Sequence, residues 1–231
     1  MNDRDRPTDA DDPRQRLVVA AIEQIEQHGI GQATVRKIAA AAGVNIAAVN
    51  YYFRSKEALL AAALEGSIRS MLEDGEELLA RMPGEPMDAL SGLLGYYLEG
   101  CLRFPNLSRA HLNDAFHGDD YSGPFPVLFA PVIERLRDLV QAAVPGLDQR
   151  AAAHRVVAAL SAVFFPAFFA GLFQGLGALG SPADRLAYVR ELARQTLAPP
   201  PPPSTATATA TALSPDITPS PAPRGRRPKR G

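Results

Sequence analysis

The chain has 231 residues, of which 46% are hydrophobic, and a formal net charge of −1 at pH 7. The hydrophobic content is sufficient for a sizeable core. The slightly negative net charge excludes attraction of nucleic acid by the overall charge of the chain. A single cysteine, Cys101, excludes a disulfide framework, and the N terminus lacks an apolar stretch preceded by basic residues. We therefore expect a cytoplasmic protein.

The first predicted helix follows an acidic and polar leader, residues 1–13, which we expect to be disordered. Residues 13–27 then carry apolar side chains at helical spacing, and these are Leu17, Ala20, Ala21 and Ile25. Gly29 follows at the position of a helix C-cap.

A second, shorter helical pattern begins after Thr34, the predicted N-cap. Its apolar residues recur at spacings of three and four and mark one buried face, formed by Val35, Ile38, Ala39 and Ala42. Gly43 stands where the chain must turn sharply, because a residue without a Cβ turns there at the least cost. The pattern predicts a helix followed directly by a tight turn.

A third helix is predicted after Asn45, which can cap its N terminus. At 100° per residue, Val49 and Phe53 share one face, and we expect this face to dock on the second helix. The opposite face carries Ala47, Asn50 and Tyr51. Two short helices around one turn predict a helix-turn-helix, whose second helix enters a DNA groove.

The residue types on that opposite face suit a groove. Ala47 lets the helix approach base edges, and the Asn50 amide can pair with adenine N6 and N7. The hydroxyls of Tyr51 and Tyr52 can reach phosphate oxygens. Lys56, at the start of the next helix, would form an anion site with the first amides of that helix. The predicted DNA-binding residues are Thr34, Val35, Arg36, Asn45, Ile46, Ala47, Asn50, Tyr51, Tyr52 and Lys56.

The local charge favours a DNA partner, in contrast to the overall charge. Between residues 14 and 60 the basic side chains are Arg14, Arg16, Arg36, Lys37, Arg54 and Lys56. The acidic side chains in the same stretch are Glu23, Glu26 and Glu57. A basic patch of this kind steers DNA towards the segment that carries it.

Residues 34–60 are the most specific part of the sequence. They contain Thr-Val-Arg at 34–36, Ile-Ala at 38–39, Ala-Gly-Val at 42–44 and Tyr-Tyr-Phe-Arg-Ser-Lys-Glu-Ala-Leu-Leu at 51–60. With these motifs, residues 14–62 resemble the DNA-binding domain of the TetR family of bacterial transcriptional regulators. Asn50 is a difference, because many members carry Tyr there. The family's operator bases are therefore not transferred to this chain.

The resemblance implies an all-α fold with two domains. Residues 14–60 would form a three-helix helix-turn-helix DNA-binding domain, and residues 61–198 a helical ligand-binding and dimerisation domain. The implied function is that of a transcriptional regulator, more often a repressor than an activator. Such a protein binds a palindromic double-stranded DNA operator as a homodimer, and a small-molecule effector releases it.

Helical patterns continue through the second domain. The predicted helices cover residues 56–81, 87–103 and 106–117, a stretch that begins at Pro126 or Pro131 and ends near 145, and residues 181–197. From residue 199 the composition changes to proline, alanine and threonine with a basic end. We expect residues 199–231 to be a disordered tail.

The apolar segment 156–180 allows two interpretations. No charged residue lies between Arg155 and Asp184, and about 20 apolar residues suffice to span a bilayer. A membrane-anchored helical DNA-binding or interaction protein is therefore the alternative function. We favour a homodimer without a membrane, because the resemblance implies that two helices, about residues 150–177 and 181–198, pair with a second copy. A helix buried on nearly all sides is apolar all round.

The resemblance also places an effector pocket in the second domain, beside the long helix that follows Lys56. The candidate residues are Arg69, Tyr96, Tyr97, Arg103, Phe104, His111, Phe116, Phe164 and Phe168. Their largely apolar and aromatic character favours a hydrophobic or aromatic effector. The alternative is that the aromatic residues are ordinary core and that His111 lies on the surface or in a loop.

The sequence carries none of the common enzyme motifs. It lacks a Gly-rich phosphate loop, a His-Glu-x-x-His pair, a cysteine pair for zinc and a Gly-x-Ser-x-Gly elbow. We therefore predict no enzymatic activity, no cofactor and no metal.

Overall fold

Helices form all the regular structure in the part of the chain that the structure describes. The computed structural model describes residues 12–81, 85–118, 120–177 and 179–200. The all-α fold class predicted from the sequence is confirmed. The predictions of a disordered leader and of a disordered tail with a basic end fall largely on residues 1–11 and 201–231, which lie outside these ranges.

The helices follow one another with short connections. In chain order they are α1 (Pro13–His28), α2 (Val35–Ala41), α3 (Ile46–Phe53), α4 (Lys56–Ala80), α5 (Pro86–Arg103), α6 (Pro105–Ala110), α7 (Asn113–Gly118), α8 (Pro124–Ala143), α9 (Gln149–Phe168), α10 (Ala170–Phe173) and α11 (Pro182–Thr196). One-turn 3-10 helices cover Ile30–Gln32 and Gln174–Leu176.

The first three helices and the start of α4 enclose one hydrophobic core, and we call this unit the head. Its fully buried side chains include Leu17, Ile25, Ile38, Val49 and Leu59. Helical periodicity predicts the first four on buried faces, whereas Val35, predicted with them, is half-buried. The head therefore has a core of its own.

The predicted caps and turns of the head are present. Thr34 Oγ1 accepts a hydrogen bond from the N–H three residues later at 3.3 Å, and Asn45 Oδ1 accepts one from the N–H two residues later at 2.9 Å. Ser55 Oγ caps α4 in the same way at 3.0 Å. Gly43 has φ of 64°, in the left-handed region that glycine adopts at low cost. These side chains fix where α2, α3 and α4 begin.

The remaining helices form the body, around a second core. The C-terminal part of α4 packs there with α5, α8, α9 and α11. The core contains Leu90, Leu94, Leu98, Phe129, Leu136, Val140, Val156, Val163 and Val189. Because α4 contributes to both cores, it is the continuous element that joins the head to the body.

Residues 106–117 form two short helices, so the prediction of one helix there is wrong. Helix α6 ends at Ala110, residues 111 and 112 make a turn, and α7 begins at Asn113. Asn113 and Asp114 are residue types that favour the start of a helix over its interior. The apolar periodicity alone does not register this preference.

The predicted helix over residues 150–177 is also wrong in its C-terminal part. Helix α9 ends at Phe168, and Phe169 leaves the helical region with φ of −115° and ψ of 41°. The glycines that follow, at positions 171, 175 and 177, have a low helix propensity. A single turn, α10, and one 3-10 turn take the place of the longer helix. Helix α8 likewise begins at Pro124 and keeps Pro131 inside it.

Candidate DNA-binding surface and effector region

Helix α3 presents the predicted face to solvent. Val49 and Phe53 point into the head, where the exposed fraction of Phe53 is 7%. Tyr51 is 81% exposed, and Ala47 and Asn50 are exposed beside it. The outward face therefore offers one amide, one hydroxyl and a small side chain, a set of groups that can approach base edges and phosphates in a groove.

The other predicted DNA-binding residues flank this face, and the structure divides them by burial. Thr34, Arg36, Asn45 and Ile46 are exposed. Three more, Val35, Tyr52 and Lys56, are half-buried, and the first two of these pack against the core of the head. The Tyr52 ring meets the Tyr51 ring edge-on with 4.9 Å between the ring centroids, an arrangement that orients both hydroxyls.

The link from α3 to α4 contains an unusual backbone conformation. Arg54, the C-cap of α3, has φ of 65°, and it is the non-glycine residue with positive φ in the described part of the chain. This conformation ends α3 and lets Ser55 cap α4 immediately. Lys56 consequently lies in the first turn of a 25-residue helix, whose N-terminal amides favour a phosphate.

Four of the effector candidates belong to one aromatic cluster in the body. Tyr97 lies 6.1 Å from Phe164, and Phe164 stacks on Phe168 at 5.7 Å, measured between ring centroids. Phe125 and Phe129 complete the cluster and connect it to His111, whose ring stacks on Phe125 at 6.1 Å. The sequence interpretation missed these two phenylalanines. Their spacing of four residues on one helix could have indicated a shared face.

His111 lies in the turn between α6 and α7, which agrees with the alternative of a loop histidine, but its ring is half-buried against the body. Its Nε2 is 3.2 Å from Ser67 Oγ, and its Nδ1 is buried without a hydrogen-bond partner in the structure. Burial lowers the pKa of His111 to about 4, because the charged imidazolium is disfavoured away from water. The ring is therefore neutral at pH 7.

Of the remaining effector candidates, Tyr96 borders the cluster, with its ring centroid 5.7 Å from that of Tyr97. Tyr96 donates a hydrogen bond to Asp74 at 2.9 Å, and burial is the main cause that raises its pKa. Arg69 pairs with Glu65 at 2.7 Å on the surface. Arg103 stacks over Phe104 at 5.2 Å, and both are exposed, as is Phe116. The structure therefore brings together Tyr97, His111, Phe164 and Phe168, with Tyr96 at the edge of the cluster. It does not bring Arg69, Arg103 or Phe104 to them.

A hydrogen-bonded contact joins α1 of the head to α6. Asn106 Nδ2 donates to the backbone carbonyl of Glu26 at 2.7 Å, and the Leu107 N–H donates to Glu26 Oε2 at 2.9 Å. Ala110, also on α6, is buried in the core of the head. We call this contact the junction. It ties the position of the head to the position of α6.

Replacing Glu26 with Ala should lower the free energy of unfolding by about 1–3 kcal/mol, because the half-buried Leu107 N–H loses a charged acceptor. Glu23→Ala is the matched control, since Glu23 is exposed on the same helix. Urea unfolding of the two variants measures the difference. Equal stability of the two variants would contradict a structural role for the junction.

The fold and the exposed face of α3 define a helix-turn-helix DNA-binding protein with a helical second domain. Residues 17–63 match the family model described as "Bacterial regulatory proteins, tetR family". Residues 17–63 therefore form a DNA-binding domain of this family.

Similar curated proteins are regulators that match mainly through the N-terminal part. The chain is 42% identical over 62 residues to the HTH-type transcriptional regulator BetI of Pseudomonas fluorescens, which covers 27% of this chain and 31% of BetI. It is 28% identical over 120 residues to the HTH-type transcriptional regulator AcrR of Shigella flexneri, which covers 52% of this chain and 55% of AcrR. The chain thus spans 31–55% of the length of these two relatives.

Solved structures share the fold over most of the chain. A TetR transcription regulator from Haloarcula marismortui has a TM-score of 0.57 and 21% identity, and the match covers 80% of this chain and 96% of that chain. The regulator FadR from Bacillus subtilis, solved in complex with stearoyl-CoA, has a TM-score of 0.58 and 16% identity. That match covers 79% of this chain and 97% of FadR. At these identities the likeness concerns the fold.

Proposed function

We propose that the chain is a ligand-responsive transcriptional regulator that binds a palindromic DNA operator as a homodimer. It acts as a repressor, and a small hydrophobic or aromatic effector releases it. The main support is the outward face of α3, where Ala47, Asn50 and Tyr51 stand exposed on a helix that is capped at its start and anchored by Val49 and Phe53. Polar groups that are exposed on a rigid helix are well placed to form hydrogen bonds with base edges.

The proposed dimer contact is the exposed face of α9 and α11. These helices lie side by side, because Tyr188 of α11 donates a hydrogen bond to the Ala162 carbonyl of α9 at 2.7 Å. Val157 and Phe165 on α9 and Leu186 on α11 are largely exposed in the single chain. An apolar surface formed by two adjacent helices suits a four-helix bundle with the same surface of a second copy.

Dimerisation would also explain how a helix as short as α3 can recognise an operator. Two heads related by a two-fold axis read half-sites about 34 Å apart, or a multiple of that distance, which makes the operator nearly palindromic. One α3 reaches only a few base pairs, so a single head discriminates weakly among genomic sites. The function therefore depends on the pairing of α9 and α11.

A membrane anchor is the competing explanation for the apolar helix α9. By length and composition α9 could span a bilayer, but 39% of its most apolar window is buried inside the protein. The helix packs against α5, α8 and α11, and only one face is left to cover. We therefore propose a cytoplasmic homodimer. Recovery of the full-length protein solely in the membrane fraction would contradict it.

Base readout is tested by Asn50→Ala and Lys56→Ala together. Asn50→Ala should cost roughly 1–3 kcal/mol of operator affinity and blur the preference at one base position, because a bidentate amide contact is lost. Lys56→Ala should weaken binding to all sequences alike, since a phosphate contact carries no sequence information.

The measurement is selection of bound fragments from a random duplex pool, followed by titration of the selected duplex at several salt concentrations. The two variants control for each other, because only the first should change the selected sequence. An unchanged sequence preference in Asn50→Ala would exclude this residue as the base reader. Failure of the unmodified protein to select any sequence would contradict the proposed function.

A further inference from the structure

A cavity of about 440 Å³ lies between the head and the body. The head contributes Gly29 and Ile30, α6 and α7 contribute one wall, and the end of α9 contributes the other. The lining includes Ile30, Asn106, Arg109, Phe116 and Phe168. Two of the effector candidates, Phe116 and Phe168, thus share a cavity that also touches the head.

Among the spaces near the effector candidate residues, this cavity has the size that best suits a small organic molecule. Ligand pockets measure about 300–1,000 Å³. The space beside Tyr97, between α4, α5 and α8, measures only about 130 Å³. A larger groove of about 630 Å³ between α5 and α11 includes Leu186, which belongs to the surface proposed for dimerisation.

The lining of this cavity is largely apolar, with a few polar side chains and one strong cation. Ile30, Phe116 and Phe168 supply apolar and aromatic walls, and Phe116 is 70% exposed, so it has surface available for a ligand. Arg109 supplies a guanidinium, and among the described residues that line the cavity none is acidic. Such a lining is complementary to a molecule with an apolar body and an anionic group.

Arg109 is held in place by its neighbours. Its Nη2 donates to the Phe168 carbonyl at 3.2 Å, and its Nη1 lies 3.5 Å from Asn106 Oδ1. These contacts use two of the five N–H donors of a guanidinium. A fixed planar donor group binds a carboxylate with little loss of side-chain freedom.

We propose that this cavity is the effector site and that it takes an amphipathic organic anion, with the anionic group on Arg109 and the apolar body on Phe116, Phe168 and Ile30. This inference rests on the proposed function of the chain as a ligand-responsive regulator. Asn106 lines the cavity and also holds the Glu26 carbonyl in the junction. An occupant therefore contacts the head, and the group that ties the head to α6, at the same time.

The test uses two fluorescent probes that differ in charge. The anionic probe is 8-anilinonaphthalene-1-sulfonate, and the neutral probe is N-phenyl-1-naphthylamine, which lacks the sulfonate. Binding is titrated on the full-length protein without DNA, so a failure of DNA binding would not affect this readout. Arg109→Gln should reduce the affinity for the anionic probe about tenfold and leave the neutral probe unchanged. Phe116→Ala should reduce the affinity for both probes.

Two matched variants control for other apolar surfaces. Tyr121→Ala removes an aromatic side chain that is 62% exposed outside the cavity, and Arg81→Gln removes an exposed guanidinium paired with Glu77. Neither should change the affinity for either probe. Thermal unfolding of every variant checks that the fold is retained. Because Phe116 is exposed, Phe116→Ala should stay folded and still test the site if Arg109→Gln unfolds.

Equal affinity of the anionic probe for the unmodified protein, Arg109→Gln and Phe116→Ala would overturn the assignment. A second readout is the binding of a selected operator duplex. The anionic probe should weaken operator binding by the unmodified protein but not by Phe116→Ala. If both variants lose probe binding but the probe does not change the DNA affinity of the unmodified protein, the ligand site would be supported. The proposed link between this site and the head would then be contradicted.

Discussion

Replacing Val157 with Asp should convert the protein to a monomer and reduce its affinity for a palindromic duplex by more than about a hundredfold. Val157 is 60% exposed on α9, in the apolar surface proposed for dimerisation. A carboxylate there would be buried in the contact with a second copy, and burial of an unpaired charge is strongly unfavourable. Size-exclusion chromatography with mass measurement and operator titration check both expectations.

The matched control is Val127→Asp. Val127 is 58% exposed, but it lies on α8, away from the surface formed by α9 and α11. The same substitution at nearly the same exposure should leave a dimer with unchanged operator affinity. A Val157→Asp protein that remains a dimer, or a control that also dissociates, would show that another surface joins the two copies.

Replacing Phe53 with Ala should lower the free energy of unfolding by about 3–5 kcal/mol. Phe53 is buried in the core of the head, and the Arg14 guanidinium lies 5.2 Å above its ring. Removing the ring leaves a cavity beneath α3 and also removes this cation–π contact. The loss is a large part of the stability of a small domain, so DNA binding should fail at temperatures near the new transition.

Tyr51→Ala is the control for Phe53→Ala, because both remove an aromatic side chain from α3. Tyr51 is exposed, so its removal should change the free energy of unfolding by less than about 0.5 kcal/mol. It should nevertheless weaken DNA binding, through loss of a phosphate contact. Urea unfolding and duplex titration at low temperature separate the two effects. Destabilisation of Tyr51→Ala by the same amount would contradict the assignment of inward and outward faces.

The head could be predicted closely because its signals are local. Each cap bonds an N–H two or three residues away, and the burial of Val49 and Phe53 follows from their spacing on one helix. Gly43 has the positive φ that its place in the turn requires. These features depend on a few neighbouring residues, all of which the sequence displays together.

The effector region was predicted less well because its contacts join distant parts of the chain. Asn106 meets Glu26 across 80 positions, and His111 meets Ser67 across 44. Periodicity indicates that an aromatic residue is buried, but it does not indicate which helix lies opposite. The sequence therefore offers no means to separate Tyr97 and Phe164, which meet in the aromatic cluster, from Arg103 and Phe104, which are exposed. The effector role of all four stays a prediction.

Helix α4 is long enough that a small tilt at its C-terminal end produces a larger displacement of the head at its N-terminal end. Its 25 residues measure about 37 Å at 1.5 Å per residue, with Leu59 fixed in one core and Leu79 packed on the other. If the C-terminal end serves as the pivot, a tilt of about 5° displaces the first turn by about 3 Å, close to the rise of one base pair, about 3.4 Å. In the proposed dimer, a small tilt of α4 would therefore move each head by about one base pair relative to its half-site.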